Sequence, residues 1–258
     1  MKNVIATIAA AGAVLTGSLA NAANDRPTVV LVHGAFADAS SWNGVIRILE
    51  KEGYPIVAAA NPLRSVKGDA AYVSDIVASI ESPVVLVGHS YGGMVISEAA
   101  KGNSNVKSLV YVAAFAPAAG ETSLGLSNKF PGSTLGAAIA KPVALPGGGK
   151  DLYIQQEKFP GQFAADVAKS EARLMAATQR PIAEVALNEA ASEPAWKNIP
   201  SWFVYGTQDR NIPPQAHAFM ADRARSRETV VVEGSSHVVM VSHPAAVAKL
   251  IGQAAAIK

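Results

Sequence analysis

Cysteine is absent from all 258 residues, which excludes disulfides and lipid attachment at a lipobox. An oxidising compartment therefore neither strengthens nor threatens the fold. Strong charge of one sign is missing too. The formal net charge is +2, with acidic and basic residues mixed, which gives no sign of a nucleic-acid partner or of an anionic membrane surface. The one basic cluster, Arg223, Arg225 and Arg227, stands near a helix end beside Asp222 and Glu228, where it offsets the helix dipole. No group of His, Asp or Glu has ligand spacing, so no metal is implied. Gly147-Gly148-Gly149-Lys150 lacks the rest of a phosphate loop and follows no strand. There are no repeats, and no low-complexity tract beyond alanine-rich ends.

A long hydrophobic run is also lacking. Val4 to Ala20 is apolar but short, weakly hydrophobic and built largely of Ala, Gly and Thr, too little for a membrane anchor. With Lys2 before it and Ala20-Asn21-Ala22 after it, the stretch reads as a signal peptide over 1–22, cleaved ahead of Ala23. The expectation is a bacterial protein, periplasmic or secreted. Residues 23–258 then form one α/β domain, half apolar overall and large enough for a real core.

Six β-branched apolar runs read as buried parallel strands: Thr28–Val32, Ile56–Ala60, Val84–Val87, Leu109–Ala113, Ser201–Tyr205 and Thr229–Val232. Helical patterns lie between and after them, at Trp42–Glu52, Asp69–Glu81, Tyr91–Lys101, Pro213–Arg225 and His243–Ala256. Strand–helix alternation predicts right-handed crossovers and a mostly parallel, doubly wound sheet. From about 120 to 196 the rhythm stops. That segment shows no convincing strand, several Pro-Gly clusters and two helical stretches, Phe163–Ala177 and Ile182–Ala191. It reads as a mainly helical cap inserted over the carboxyl ends of the strands, where ligands of open α/β sheets bind.

The most informative motif is Gly88-His89-Ser90-Tyr91-Gly92, between the run Val84–Val87 and a helical stretch. Strand, tight turn and helix in that order push the Ser90 hydroxyl out on a strained corner, where only glycine-sized neighbours fit two residues either side. A serine hydroxyl needs a base, itself oriented by a third group. Of five histidines, His237 alone falls in a loop just past the last strand; His33 and His89 lie inside backbone motifs, His217 on a helix, and His243 at a helix start. Asp209 follows the preceding strand. Alone it reads equally as a turn or N-cap aspartate; its place between Ser90 and His237 favours catalysis. Oxyanion donors are expected from the Tyr91 N–H and the Ala35 N–H, with Phe36 as second choice, after the bend that Gly34 permits. Phe36, Tyr91, Phe115, Tyr153, Phe159, Phe163 and Met175 are available to line an acyl pocket, although packing within the cap explains each of them equally well.

The stretch His33–Trp42, the elbow Gly88–Gly93, Gly206-Thr207-Gln208-Asp209 and Ser236-His237 are spaced as in the α/β-hydrolase superfamily. Together they most resemble its small branch of salicylate-ester esterases, hydroxynitrile lyases and bacterial relatives. The resemblance implies a six-stranded core and a cofactor-independent serine carboxylester hydrolase acting on small or medium esters or lactones. The lyases of that branch place lysine after the catalytic histidine and replace the glycine after the early histidine. Here Val238 follows His237 and Gly34 is kept, which favours hydrolysis. The alternatives are a cofactor-free perhydrolase, haloperoxidase-like or lyase activity on the same site, or a non-catalytic ligand-binding protein of the same fold. Activity is expected to rise with pH through the ordinary histidine range, about 6 to 7, because the base must be neutral.

Overall fold

The computed structural model describes residues 26–257; the expected signal peptide over 1–22 lies outside them. The described chain opens with β1 (Thr28–Val32), α1 (Asn43–Lys51), β2 (Ile56–Ala59), α2 (Val66–Ala78), β3 (Val84–His89), α3 (Gly92–Ala99) and β4 (Val106–Val112). A long connection follows, carrying α4 (Ser123–Ser127), α5 (Leu135–Ala138), β5 (Val143–Ala144), β6 (Lys150–Leu152), α6 (Phe159–Phe163), α7 (Lys169–Thr178), β7 (Ile182–Ala183) and α8 (Glu184–Asn188). The alternation then resumes with β8 (Ser201–Gly206), α9 (Pro214–Arg223), β9 (Thr229–Val232), α10 (Val239–Ser242) and α11 (Pro244–Ala255).

Six strands pair in the order β2-β1-β3-β4-β8-β9, every pair parallel. β1 and β3 are buried at every residue, as expected of strands covered on both faces. Helices α1 and α11 pack together on the sheet, as do α2 and α3. All six carboxyl ends therefore lie along one edge, where the loops after β1, β3, β8 and β9 meet.

Boundaries moved where side chains decided them. Helix α2 starts at Val66 and not at Asp69, because Ser65 accepts a hydrogen bond from the Gly68 N–H at 3.0 Å and caps it three residues early. Strand β4 starts at Val106, ahead of the expected Leu109. The polar pair Lys107 and Ser108 hid its first turn of pleat, yet Ser108 is fully buried and donates to the Ala254 carbonyl at 3.0 Å. It ends before Ala113, whose φ of 43° leaves the strand region.

The connection between β4 and β8 holds five short helices, but it also holds strands. β5, β6 and β7 form a small antiparallel sheet, with Leu145–Gly149 as the turn of its hairpin. The expected helix over Phe163–Ala177 forms only from Lys169 onward, as α7, and Phe163 itself closes the separate helix α6. The expected helix over Ile182–Ala191 begins as β7, because Ile182 pairs with Leu152. Among the described residues no helix is long and apolar enough to cross a membrane.

Candidate active site

Ser90 sits in the turn between β3 and α3 with φ at 53°, a left-handed conformation that a residue with a Cβ rarely adopts. The corner is this tight because β3 and α3 nearly touch. A Cβ on Gly88 would lie 2.6 Å from the Gly92 carbonyl oxygen. The loop after β1 presses on the same point: a Cβ on Gly34 would meet the Ser90 Cβ at 2.6 Å. Glycine at 34 is thus a packing requirement of the serine itself.

The structure brings Ser90, His237 and Asp209 into one line. Ser90 Oγ is 2.9 Å from His237 Nε2, and His237 Nδ1 is 2.7 Å from Asp209 Oδ2. Asp209 and His237 are almost wholly inaccessible, and Ser90 is 7% exposed, just reachable from the cavity above it. Burial alone would raise the Asp209 carboxyl. The charge of His237 and hydrogen bonds from His217 and His237 outweigh it and hold the group well below the usual carboxylate range. An ionised carboxylate only accepts, so His237 Nδ1 carries a proton and Nε2 is left to accept from the Ser90 hydroxyl.

Backbone geometry supports this arrangement. Asp209 Oδ1 accepts from the Asn211 N–H at 2.8 Å and the Ile212 N–H at 3.0 Å, in the loop that leads into α9. The loop holding His237 is tied to the β4–β8 connection, because the Ser236 hydroxyl donates to Asp166 Oδ1. Phe163 of that connection packs edge-on against His237, with ring centroids 5.0 Å apart. His89 lies beneath, its ring 4.8 Å from that of His237, and its Nε2–H donates to the His237 carbonyl at 3.2 Å. Burial, followed by the charge of His237, pushes His89 well below the ordinary histidine value. His33 donates from Nδ1 to the Gly34 carbonyl at 3.0 Å; burial lowers it to about 4. Both stay neutral near pH 7.

Ala35 and Tyr91 border the cavity, and neither amide donates to a protein acceptor among the described residues. The Phe36 amide, the second choice for an oxyanion donor, is already engaged by the Arg180 carbonyl at 3.0 Å. The cavity encloses about 260 Å³. Its wall includes Phe36, Phe115, Leu135, Ile139 and Phe163, so three of the residues available for an acyl pocket, Phe36, Phe115 and Phe163, line it. Three other candidates do not. Phe159 is buried behind Phe163, and Tyr153 and Met175 border separate surface grooves. Tyr91 reaches the cavity, but its hydroxyl donates to the buried Asp69 at 2.8 Å, away from Ser90 and His237.

The sequence profile of the alpha/beta hydrolase family matches residues 29–250. The chain belongs to the alpha/beta hydrolase family. It is similar to the alpha/beta hydrolase nvfD of Aspergillus novofumigatus, 26% identical over 250 residues that cover 89% of this chain and 97% of that one. It is also similar to salicylic acid-binding protein 2 of Nicotiana tabacum, 23% identical, covering 83% of this chain and 92% of the relative. That likeness agrees with the branch indicated by the motifs. In three dimensions the hydrolase resembles polyneuridine aldehyde esterase, with a TM-score of 0.76 at 18% identity over 88% of this chain and 98% of that one.

Two features escaped the reading of motifs. The backbone donors of Asn211 and Ile212 carry no side-chain signal at all. His217, on α9, lies 3.0 Å from Asp209 Oδ2 through its Nε2; its signal was a histidine eight residues after the acid, in a helix that reads as ordinary.

Proposed function

We propose that this protein is a serine carboxylester hydrolase acting on small to medium esters or lactones. The observation that carries the reading is the unbroken relay from Ser90 Oγ through the His237 ring to the buried Asp209 carboxylate. Ser90 gives its proton to His237 Nε2 while Oγ bonds to the ester carbonyl carbon. Asp209 stabilises the imidazolium that forms, and the Ala35 and Tyr91 amides hold the oxyanion. The tetrahedral intermediate collapses, and the leaving alkoxide takes the proton from His237. Water then gives a proton to the same nitrogen and attacks the acyl carbon. The bond to Oγ breaks, the acid leaves, and Ser90 regains its proton.

Hydrolysis is favoured over lyase chemistry by Val238, fully buried beside His237 where the resembled lyases carry a lysine, and by Gly34. Similarity to methylesterase 8 of Arabidopsis thaliana, 24% identical over 83% of this chain, supports the reaction class. The cavity volume, just below the roughly 300–1,000 Å³ usual for ligand pockets, supports compact substrates. The test combines p-nitrophenyl esters of graded acyl length with a fluorophosphonate probe. Turnover and stoichiometric labelling, both lost in Ser90→Ala, support the proposal. A native protein that neither labels nor hydrolyses any ester overturns it.

A further inference from the structure

Asp209 serves more than one imidazole. Its Oδ2 lies 2.7 Å from His237 Nδ1 and 3.0 Å from His217 Nε2, while Oδ1 holds the Asn211 and Ile212 amides. The two carboxylate oxygens offer about four lone-pair sites, and four donors fill them. Because the ionised acid only accepts, His217 Nε2 carries a proton and donates it. His217 is itself buried, and its ring lies flat on Tyr205 from β8, with centroids 4.8 Å apart and planes 18° from parallel. That stack fixes the ring so that the N–H is aimed at the carboxylate. His217 does not border the cavity, so it has no access to substrate.

Filling a helix-to-sheet contact does not require such a residue. An apolar side chain of similar size would pack on Tyr205 without burying a ring nitrogen. The geometry points to His217 as a positioning residue of the reaction proposed above, one that pins the orienting carboxylate and shares its negative charge, and so sets both the aim and the basicity of His237. The inference rests on the hydrolase reading. Its physical content is separate: with His217 gone, Oδ2 keeps one donor, the carboxylate is freer to turn, and its charge falls more fully on His237. More charge on the acceptor stabilises the imidazolium, so the base binds its proton more tightly. The acid limb of activity then moves to higher pH. The other titratable groups facing this assembly are His89 of β3, against the His237 ring, and Tyr205 of β8, against the His217 ring.

The test is the pH profile of kcat/KM on p-nitrophenyl acetate for the native protein, His217→Phe and His217→Gln. In His217→Phe the acid midpoint is expected to rise by about half to one pH unit and kcat to fall about tenfold or more. In His217→Gln, whose amide N–H reaches toward the same oxygen, both changes should largely reverse. A uniform drop with no movement of the limb, or a Gln variant no better than Phe, overturns the inference and leaves the hydrolase reading intact. Proton NMR of the unsubstituted protein supplies a readout that needs neither turnover nor a folded Phe variant. The two imidazole N–H signals furthest downfield are expected from His237 and His217, which donate to a carboxylate, beyond those of the carbonyl-bonded His33 and His89, with one of the two lost in His217→Gln. A single such signal overturns the shared acceptor. Both signals in a protein that hydrolyses no ester would sink the functional reading instead.

Discussion

Ser90 Oγ and His237 Nε2 stand 2.9 Å apart although 147 residues separate them along the chain. The approach follows from the sheet: β3 and β9 deliver their following loops to one edge, and Gly34 lets the loop after β1 close against the serine. The serine sits at positive φ, which turns its Cβ out of the strand-to-helix corner, and it borders the cavity.

Removal of the hydroxyl should abolish turnover while sparing the fold. Ser90→Ala is expected to lower kcat by about 10⁴- to 10⁶-fold, the range seen when a triad nucleophile is deleted. Its melting temperature should stay near that of the native protein. Steady-state kinetics with calorimetry on the same sample checks both, and substantial residual turnover would point to another nucleophile.

Gly34→Ala probes the contact between the first loop and the elbow. The added methyl would lie 2.6 Å from the Ser90 Cβ and 2.8 Å from the His89 carbonyl oxygen, so backbone must shift. A loss of about 1–3 kcal/mol in stability is expected. Misplacing the serine by even a fraction of an ångström should cost about a hundredfold in kcat/KM. Urea titration and ester kinetics measure the two effects, and a variant with native values for both would show that the loop yields freely.

Acid should destabilise the protein well before its carboxylates protonate. His33 is lowered by burial to about 4 and His89 is likewise lowered by burial, so the unfolded chain binds more protons than the native state below the ordinary histidine value of about 6.5. Stability therefore falls as pH drops from about 6.5 toward 4, with His33 contributing about 3 kcal/mol across that window. Asp69, raised by burial, acts in the opposite direction. Asp209, held low, contributes stability that is lost only below about 3.9, as pH falls toward its folded value. Urea unfolding between pH 4 and 7 tests the sign, and His33→Gln should flatten the slope. A profile equally steep in that variant would remove His33 from the account.

Cavity size sets an acyl limit. Esters with chains beyond about eight carbons should lose kcat/KM steeply, because about 260 Å³ does not hold them. Leu135→Trp, which fills the wall facing the site, should move the limit to shorter chains. A p-nitrophenyl series from acetate to laurate reads this directly, and flat activity across it would mean that the β4–β8 connection opens widely.

Much of the fold was legible from local pattern. Continuous β-branched runs such as Val84–Val87 have one stable use, a parallel strand covered on both faces, and all six were found. The order Ser90, Asp209, His237 was equally visible, because glycines bracket the elbow and the other two residues follow strand ends. Short pairings were not legible. β5, β6 and β7 have two or three residues each, too few for any periodicity, and exist only because distant segments such as Leu152 and Ile182 meet. His217 was invisible for a similar reason: nothing local separates a helix histidine facing solvent from one facing a buried acid.

The sequence by itself determined the strand–helix alternation, the strained serine corner and the residues available for proton transfer, since each depends on interactions between near neighbours in the chain. Tertiary structure alone decided that Asp209 receives two imidazoles and two amides, that the Tyr91 hydroxyl turns to Asp69, and which aromatic rings face the cavity. Those outcomes depend on where side chains from remote segments converge in a dry interior, and no local pattern encodes that convergence.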